Sequence, residues 1–239
     1  MRKFSKLAFF GALTALPLMM SVQSASANVI ALVVDSSGSL LQTGFDLQKQ
    51  GYINSLTNLY NSNPSLFGAN AIGFWQFSDT VQQVHAITQI NNQSDLDSLI
   101  ADITAMTFLN GNTAIGDAIV AATAAIIGFG GTGSKIIDVS TDGINNTGTN
   151  DPALASDAAG ASGIIVNCLG VGGAANCDFN NGEGSDFMAA SFTDFESVLT
   201  TKLTQEVGVP EPMTLTLFGF GLLGLGSLRR RRAQDRTTA

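Results

Sequence analysis

Val29 to Val34 reads Val-Ile-Ala-Leu-Val-Val and runs directly into Asp35-Ser36-Ser37-Gly38-Ser39. A strand with one wet face would alternate apolar and polar residues. Six apolar, mostly β-branched residues without a break instead fit a strand covered on both faces, as in a parallel sheet held between helices. At its carboxyl end the chain abruptly offers a carboxylate, hydroxyls and a glycine. In open α/β sheets, ligands sit in the crevice beyond the carboxyl ends of the strands. Asp35, Ser37 and Ser39 alternate, so a turn bending around one point can aim all three side chains at it. Hard oxygens, with no Cys or His nearby, suit Mg²⁺, Ca²⁺ or Mn²⁺ rather than zinc or copper.

The rest of the chain has the rhythm such a sheet requires. Phe45, Leu47, Tyr52, Ile53, Leu56, Leu59 and Tyr60 recur at helical spacing, Gly51 weakens the middle of that helix, and Asn63-Pro64 ends it. Residues 69–78 and 81–90 read as two strands joined by the tight Asp79-Thr80 turn. Trp75 in the first of them is expected in the core. His85 in the second is expected to be structural or exposed. Ser94-x-x-Asp97 has the form of a capping box opening a helix with Leu96, Leu99, Ile100, Ile103 and Met106 on one face. A polar turn, Asn110-Gly111-Asn112-Thr113, precedes an alanine-rich helix through Ile115, Ile119, Ala122 and Ile126, which the glycines from Gly128 to Gly133 stop. A strand at 136–140 enters Thr141-Asp142-Gly143. Asp151-Pro152 caps a short helix, a strand covers 164–170, and a last helix over 194–207 turns Phe195, Val198, Leu199 and Leu203 to one side. Strands and helices alternating at these lengths predict an α/β fold with mostly parallel strands.

Three separated pieces of this pattern carry a resemblance. Asp35-x-Ser37-x-Ser39 after a buried strand, Asn112-Thr113-Ala114-Ile115-Gly116 before an alanine-rich helix, and Ser140-Thr141-Asp142-Gly143 after a later strand stand in that order. Together they resemble the metal-ion-dependent adhesion site (MIDAS) of von Willebrand factor A (VWA) domains. The stretches 136–146 and 202–206 are similar to a bacterial VWA-like subfamily of unknown function. The resemblance implies a Rossmann-like three-layer sandwich, helices flanking a mostly parallel central sheet, over residues 28–208. It also implies the site residues. Ser37 and Ser39 would ligate a divalent cation through their hydroxyls, and Thr113 directly or through water. Asp35 and Asp142 would mostly hold coordinated waters. Mg²⁺ wants six oxygens and keeps several waters, which suits such a donor set; Mn²⁺ or Ca²⁺ are alternatives. An ion held largely by neutral hydroxyls stays electron-poor and open to a partner's carboxylate, so the function implied is adhesion to a protein or matrix ligand.

Charge excludes one competing class. Between Asn28 and Val209, three lysines (Lys49, Lys135, Lys202) face seventeen acids, a net charge of −14. Nucleic-acid binding needs clustered Lys and Arg for phosphate contacts, and this region lacks them. A metal-dependent hydrolase of the cell envelope is the other class to weigh, since metal-bound water can act as a nucleophile. No His or Glu stands placed as its general base, His85 has no second His or Cys near it in sequence, and Ser36 is not in a G-x-S-x-G elbow. The expectation is therefore a binding domain, not an enzyme.

The two ends read as addresses. Arg2, Lys3 and Lys6, an apolar run to Met20 and the small residues Ala25-Ser26-Ala27 have the layout of a secretory signal peptide over residues 1–27. In an exported protein, Cys168 and Cys177 are expected to pair as a disulfide, with two free buried thiols as the alternative. At the other end, Pro210-Glu211-Pro212, an apolar span from Met213 to Leu228 and Arg229 to Arg232 follow in order. Such a span with arginines behind it fits a membrane anchor with a cytoplasmic basic end. Residues 209–239 also closely resemble the PEP-CTERM sorting signal. That resemblance implies an exosortase-type processing protease as a partner. It further implies a Gram-negative cell surface or its extracellular matrix as the destination, after transient anchoring in the inner membrane.

Overall fold

The computed structural model describes residues 27–182 and 184–208. The expected signal peptide and the C-terminal sorting segment lie outside the described residues, and so does the apolar span at 213–228. Among the described residues no helix is long and apolar enough to cross a membrane.

Six strands form one sheet: β1 (Asn28–Asp35), β2 (Asn70–Phe77), β3 (Val81–Gln89), β4 (Lys135–Thr141), β5 (Ile165–Val171) and β6 (Asp186–Ala189). Their order is β3-β2-β1-β4-β5-β6. All neighbours pair in parallel except the β2–β3 hairpin. Five helices cover it: α1 (Leu41–Ser62), α2 (Gln93–Thr104), α3 (Ile115–Phe129), α4 (Pro152–Ala161) and α5 (Phe192–Glu206). This is the VWA/Rossmann-like three-layer sandwich that the sequence implied.

The opening strand is buried on both faces, as its unbroken apolar run required. Ile30, Leu32 and Val34 join the core under α1, α2 and α5. Val29, Ala31 and Val33 join the second core, under α3 and α4. Each valine, isoleucine or leucine among them contributes about 1.5–3 kcal/mol by leaving water, so β1 anchors both layers. Trp75 is buried in the second core. His85 is nearly buried, its Nδ1 lying 2.7 Å from Asp102 Oδ2 across the β3/α2 packing.

Several local expectations change. Gly51 is also a packing requirement. A Cβ there would meet Phe195 Cδ1 at 2.9 Å, so α1 and α5 cross closely only because the position is bare. Leu47 lies off the buried stripe of α1 and is exposed. The cap of α2 is Asn92, whose side chain accepts from Ser94 N and Asp95 N, and not Ser94 in a capping box. Asp151 caps α4 as its Pro-containing turn predicts. The edge strand β6 adds a sixth strand that the apolar pattern does not predict.

Candidate metal-ion-dependent adhesion site

β1 and β4 are adjacent and parallel, so the residues that follow them emerge side by side at one edge of the sheet. Asp35 ends β1 with no exposure at all. Its Oδ1 accepts the Ser37 backbone N–H at 2.7 Å, and its Oδ2 accepts the Thr141 hydroxyl at 2.6 Å. The first bond bends the chain back on itself and directs the serines toward β4. Ser37 Oγ and Ser39 Oγ lie 3.1 Å apart, and Ser39 Oγ donates to Asp142 Oδ1 at 2.6 Å. Asp35, Ser37, Ser39 and Asp142 thus form one connected polar cluster drawn from two loops.

The third loop is tied in through its backbone. Ser37 bridges to Gly111, the Gly38 N–H donates to Gly111 O at 2.8 Å, and the Asn110 N–H donates to Ser36 O at 3.0 Å. Asn146 clasps Thr113 on both sides: its Oδ1 accepts the Thr113 N–H at 2.8 Å, and its own N–H donates to Thr113 O at 3.0 Å. Thr113 therefore sits at the same edge, nearly buried, without a hydrogen bond to the other four candidate residues.

Residues that sequence reasoning passed over hold these loops in place. Asp79 Oδ1 accepts both the backbone N–H and the side-chain amide of Asn112. The Asp117 carboxylate gathers the N–H groups of Thr149 and Asn150 and the side-chain amide of Asn150. Slight burial would raise its pKa, but the Asn150 and Thr149 bonds lower it on balance. Gln48 on α1 donates to Asp35 O at 2.7 Å and accepts from the Ser140 hydroxyl at 3.2 Å. Each acts on a loop some way off in sequence, and no motif marks such a residue.

The electrostatics of the cluster suit a cation. Burial pushes the Asp35 carboxyl up to about 6, against the pull of its Ser37 and Thr141 bonds. Burial also raises Asp142, against its Ser39 bond. Two carboxylates that resist ionising, beside two serine hydroxyls, would both gain from a positive charge placed among them. Among the described residues no three His, Cys, Asp or Glu side chains gather into a metal-holding group. The donor chemistry here is carboxylate and hydroxyl, the set a hard divalent ion takes. Cys168 and Cys177 are joined in a disulfide, with Cα atoms 5.6 Å apart, closing the loop after β5.

The fold is shared with proteins of known structure, a von Willebrand factor type A protein among them. Proximal thread matrix protein 1 from the mussel byssus superposes with a TM-score of 0.63 at 19% identity, over 77% of this chain and 47% of that one. A form of the same byssus protein with a zinc-occupied MIDAS motif gives 0.60 at 21% identity, over 76% and 47%. A von Willebrand factor type A protein from Catenulispora acidiphila gives 0.63 at 17% identity, over 77% and 43%. The chain thus spans less than half the length of these proteins. No curated protein matches it in sequence. The chain belongs to the family described as Protein of unknown function (DUF1194), which it matches over residues 27–211.

Proposed function

We propose that this domain is a metal-dependent adhesion or assembly module of the cell surface. Asp35, Ser37, Ser39, Thr113 and Asp142 would hold a divalent cation, Mg²⁺ before Mn²⁺ or Ca²⁺. The bound ion would supply an electron-poor centre for a carboxylate of a protein or matrix ligand. The chain's own residues do the rest. Asp35 orients the Ser37 turn, Asn146 seats Thr113, and Ser39 links the first loop to Asp142. The observation that carries this reading is the meeting of the Asp35 turn and the Asp142 loop in one polar cluster, with the Thr113 loop bonded to both. The zinc-occupied MIDAS motif of the structurally similar byssus protein supports it. The cluster's side chains are aspartate, serine and threonine, with no histidine or glutamate among them, and we read the site as binding rather than hydrolytic.

Export and surface sorting are part of the same proposal. The segments at 1–27 and 209–239 would deliver the domain and hold it until an exosortase-type protease cuts near Pro210-Glu211-Pro212. Calorimetry tests the site: Asp35→Ala should abolish Mg²⁺ and Mn²⁺ binding while the circular dichroism spectrum is kept, and unchanged affinity would sink the assignment. A pull-down from the native surface, with and without chelator, tests adhesion. Mass spectrometry of surface material tests sorting, where an intact C-terminus at Ala239 would mean an ordinary anchor.

A further inference from the structure

A cavity of 330 Å³ begins at Ile144, two residues past Asp142, and lies between residues 144–145, the starts of α3 and α4, and the chain on either side of Cys177. Ile115, Ile144, Pro152 and Phe179 give it apolar walls, and Asp151 and Asp178 stand in its lining. We propose that this cavity takes one long basic side chain, lysine or arginine, of the ligand whose carboxylate goes to the neighbouring cluster. The carboxylate half of that statement rests on the function proposed above; the basic subsite stands on its own lining.

The chemistry of the lining selects such a group. A lysine or arginine carries an apolar stem and a charged head, and it lays the stem on apolar surface while the head seeks water or a counter-charge. Here the stem would meet Ile144, which is 57% exposed, and the head would meet Asp178. The two helix starts weigh against a cation, because their free N–H groups favour negative charge. Both are already answered, however. Asn145 Oδ1 accepts the Gly116 N–H, and Asp151 Oδ1 accepts the N–H groups of Ala153 and Leu154. Asp151 is therefore spent on the cap, whereas the Asp178 carboxylate has no hydrogen bond or ion pair among the described residues; only its backbone N–H is bonded, to Asn176 Oδ1 at 2.7 Å. An anion entering the cavity would meet that unspent charge and the −14 of the surrounding region.

The walls are fixed before any ligand arrives. The disulfide anchors Cys177, the residue before Asp178, the Asn176 N–H donates to Gly143 O at 3.1 Å, and the Asn180 N–H donates to Cys177 O at 3.2 Å. A preformed wall lowers the ordering cost of binding. The bond from Asn176 to Gly143 also locks the cavity to the residue that follows Asp142. Ile144 is two peptide steps from Asp142, so their Cα atoms lie within about 7.6 Å. An extended ligand advances about 3.3 Å per residue. The recognised motif is therefore an acidic residue with a basic one about two to three positions away.

Two measurements decide it. In metal-free protein, N-acetyl-arginine amide, which has no carboxylate, should shift the backbone NMR signals of Ile144, Ala153, Asp178 and Phe179. N-acetyl-norleucine amide should shift them far less, and Asp178→Asn, an exposed change in a disulfide-held loop, should remove the difference. Equal shifts from the two compounds, or shifts indifferent to Asp178→Asn, overturn the subsite. In the second measurement, with saturating Mg²⁺, a Gly/Ser hexapeptide carrying Asp and Lys two residues apart should bind about tenfold more tightly than the same peptide with norleucine for Lys. Equal metal-dependent binding of both peptides overturns the basic subsite and leaves the carboxylate site standing. Arginine-amide shifts that vanish in Asp178→Asn, with neither peptide responding to Mg²⁺, support the subsite and overturn the carboxylate site instead.

Discussion

At the carboxyl edge of the sheet, Asp35 and Asp142 stand among serine hydroxyls, and no lysine or arginine of the described chain is paired with them. On the α1/α5 face, by contrast, Asp138 of β4 and Glu206 of α5 share the ammonium of Lys202, which lies 2.6 Å from Glu206 Oε1 and forms an ion pair with Asp138. Asp138 and Lys202 are wholly buried, Glu206 almost so, and the Asn167 side chain donates to Glu206 Oε1 at 2.6 Å. Both clusters put two carboxylates where charge is costly. One brings its own cation on a neighbouring turn of helix; the other has no lysine or arginine beside it, and under the proposed function a bound cation would take that role. The contrast separates an acid pair neutralised within the chain from one that is not, a distinction that burial alone would miss, since Asp35 and Asp138 are equally hidden.

The largest effect should come from removing the built-in cation. Burial pulls the Lys202 ammonium down, but Asp138 and Glu206 more than offset this and hold its pKa above the ordinary lysine value. Lys202→Met would leave two carboxylates buried and unpaired, a loss of about 3–5 kcal/mol. Replacing the three together with Leu, Met and Leu should recover most of it, because well-packed apolar groups often replace a buried ion pair at little cost. Asp35→Asn should behave in the opposite way. In metal-free protein near neutral pH it should be neutral or stabilising, since it removes a carboxylate that burial disfavours. Urea unfolding of the variants checks this, and an Asp35→Asn loss as large as that of Lys202→Met would erase the comparison.

A second test uses pH. The Asp35 carboxyl is pushed up to about 6. Burial raises Glu206 too, with Asp138 adding to the rise and Lys202 offsetting part of it. When a carboxyl has a raised pKa, the folded state keeps a proton that the unfolded chain has already released. Stability is then greatest below the unfolded pKa and falls as pH rises through the folded one. For Asp35 the window runs from about 4 to about 6, and the loss is at most about 3 kcal/mol. Magnesium should return this share and leave that of Glu206. At one hundred times its dissociation constant a ligand contributes about 2.7 kcal/mol. The Mg²⁺-induced rise in melting temperature should be clearly larger at about pH 7.5 than at about pH 5. Equal Mg²⁺ effects at both would break the link between Asp35 and the cation.

What could be read from the sequence follows the same division. β1 and its Asp-x-Ser-x-Ser turn were legible because a run of buried residues and a contiguous motif are local signals. The Thr113 and Asp142 loops were legible because each abuts a recognisable element. The pairing of Lys202 with Asp138 was not, because the two are far apart in sequence and meet only through packing of α5 on the sheet. The loop pins Asp79, Asp117 and Asn146 were hidden for that reason as well. β6 escaped notice because its four residues are largely exposed and carry no buried run. The packing role of Gly51 is not legible because helix propensity describes an isolated helix, and this one must also admit the Phe195 ring. Asn92 was overlooked because Ser94-x-x-Asp97 offered a competing cap two residues along.

The smallest expected effects lie in the uncharged chain between the two regions. Tyr52 OH donates to Ser140 Oγ at 3.2 Å, Ser140 Oγ donates to Gln48 Oε1, and Gln48 Nε2 donates to Asp35 O. Burial, with Asp138 second, holds the Tyr52 hydroxyl well above its ordinary pKa, so it remains a neutral donor throughout. If this chain only satisfies buried polar atoms, each link matters for stability and no further. If it also positions Asp35, the end nearest the cluster should matter for the cation and the far end should not. Tyr52→Phe removes one hydroxyl and leaves Ser140 still bonded to Gln48, so a loss of about 1 kcal/mol is expected with Mg²⁺ affinity unchanged. Gln48→Met also costs about 1–2 kcal/mol, but it frees the Asp35 carbonyl from the only side chain bonded to it among the described residues. Mg²⁺ affinity should then fall severalfold, as it does when partners behind a metal ligand are removed. Calorimetry on the two variants separates the cases: equal affinities would make the chain a stabilising element of the core alone, with the cluster held by its own loops.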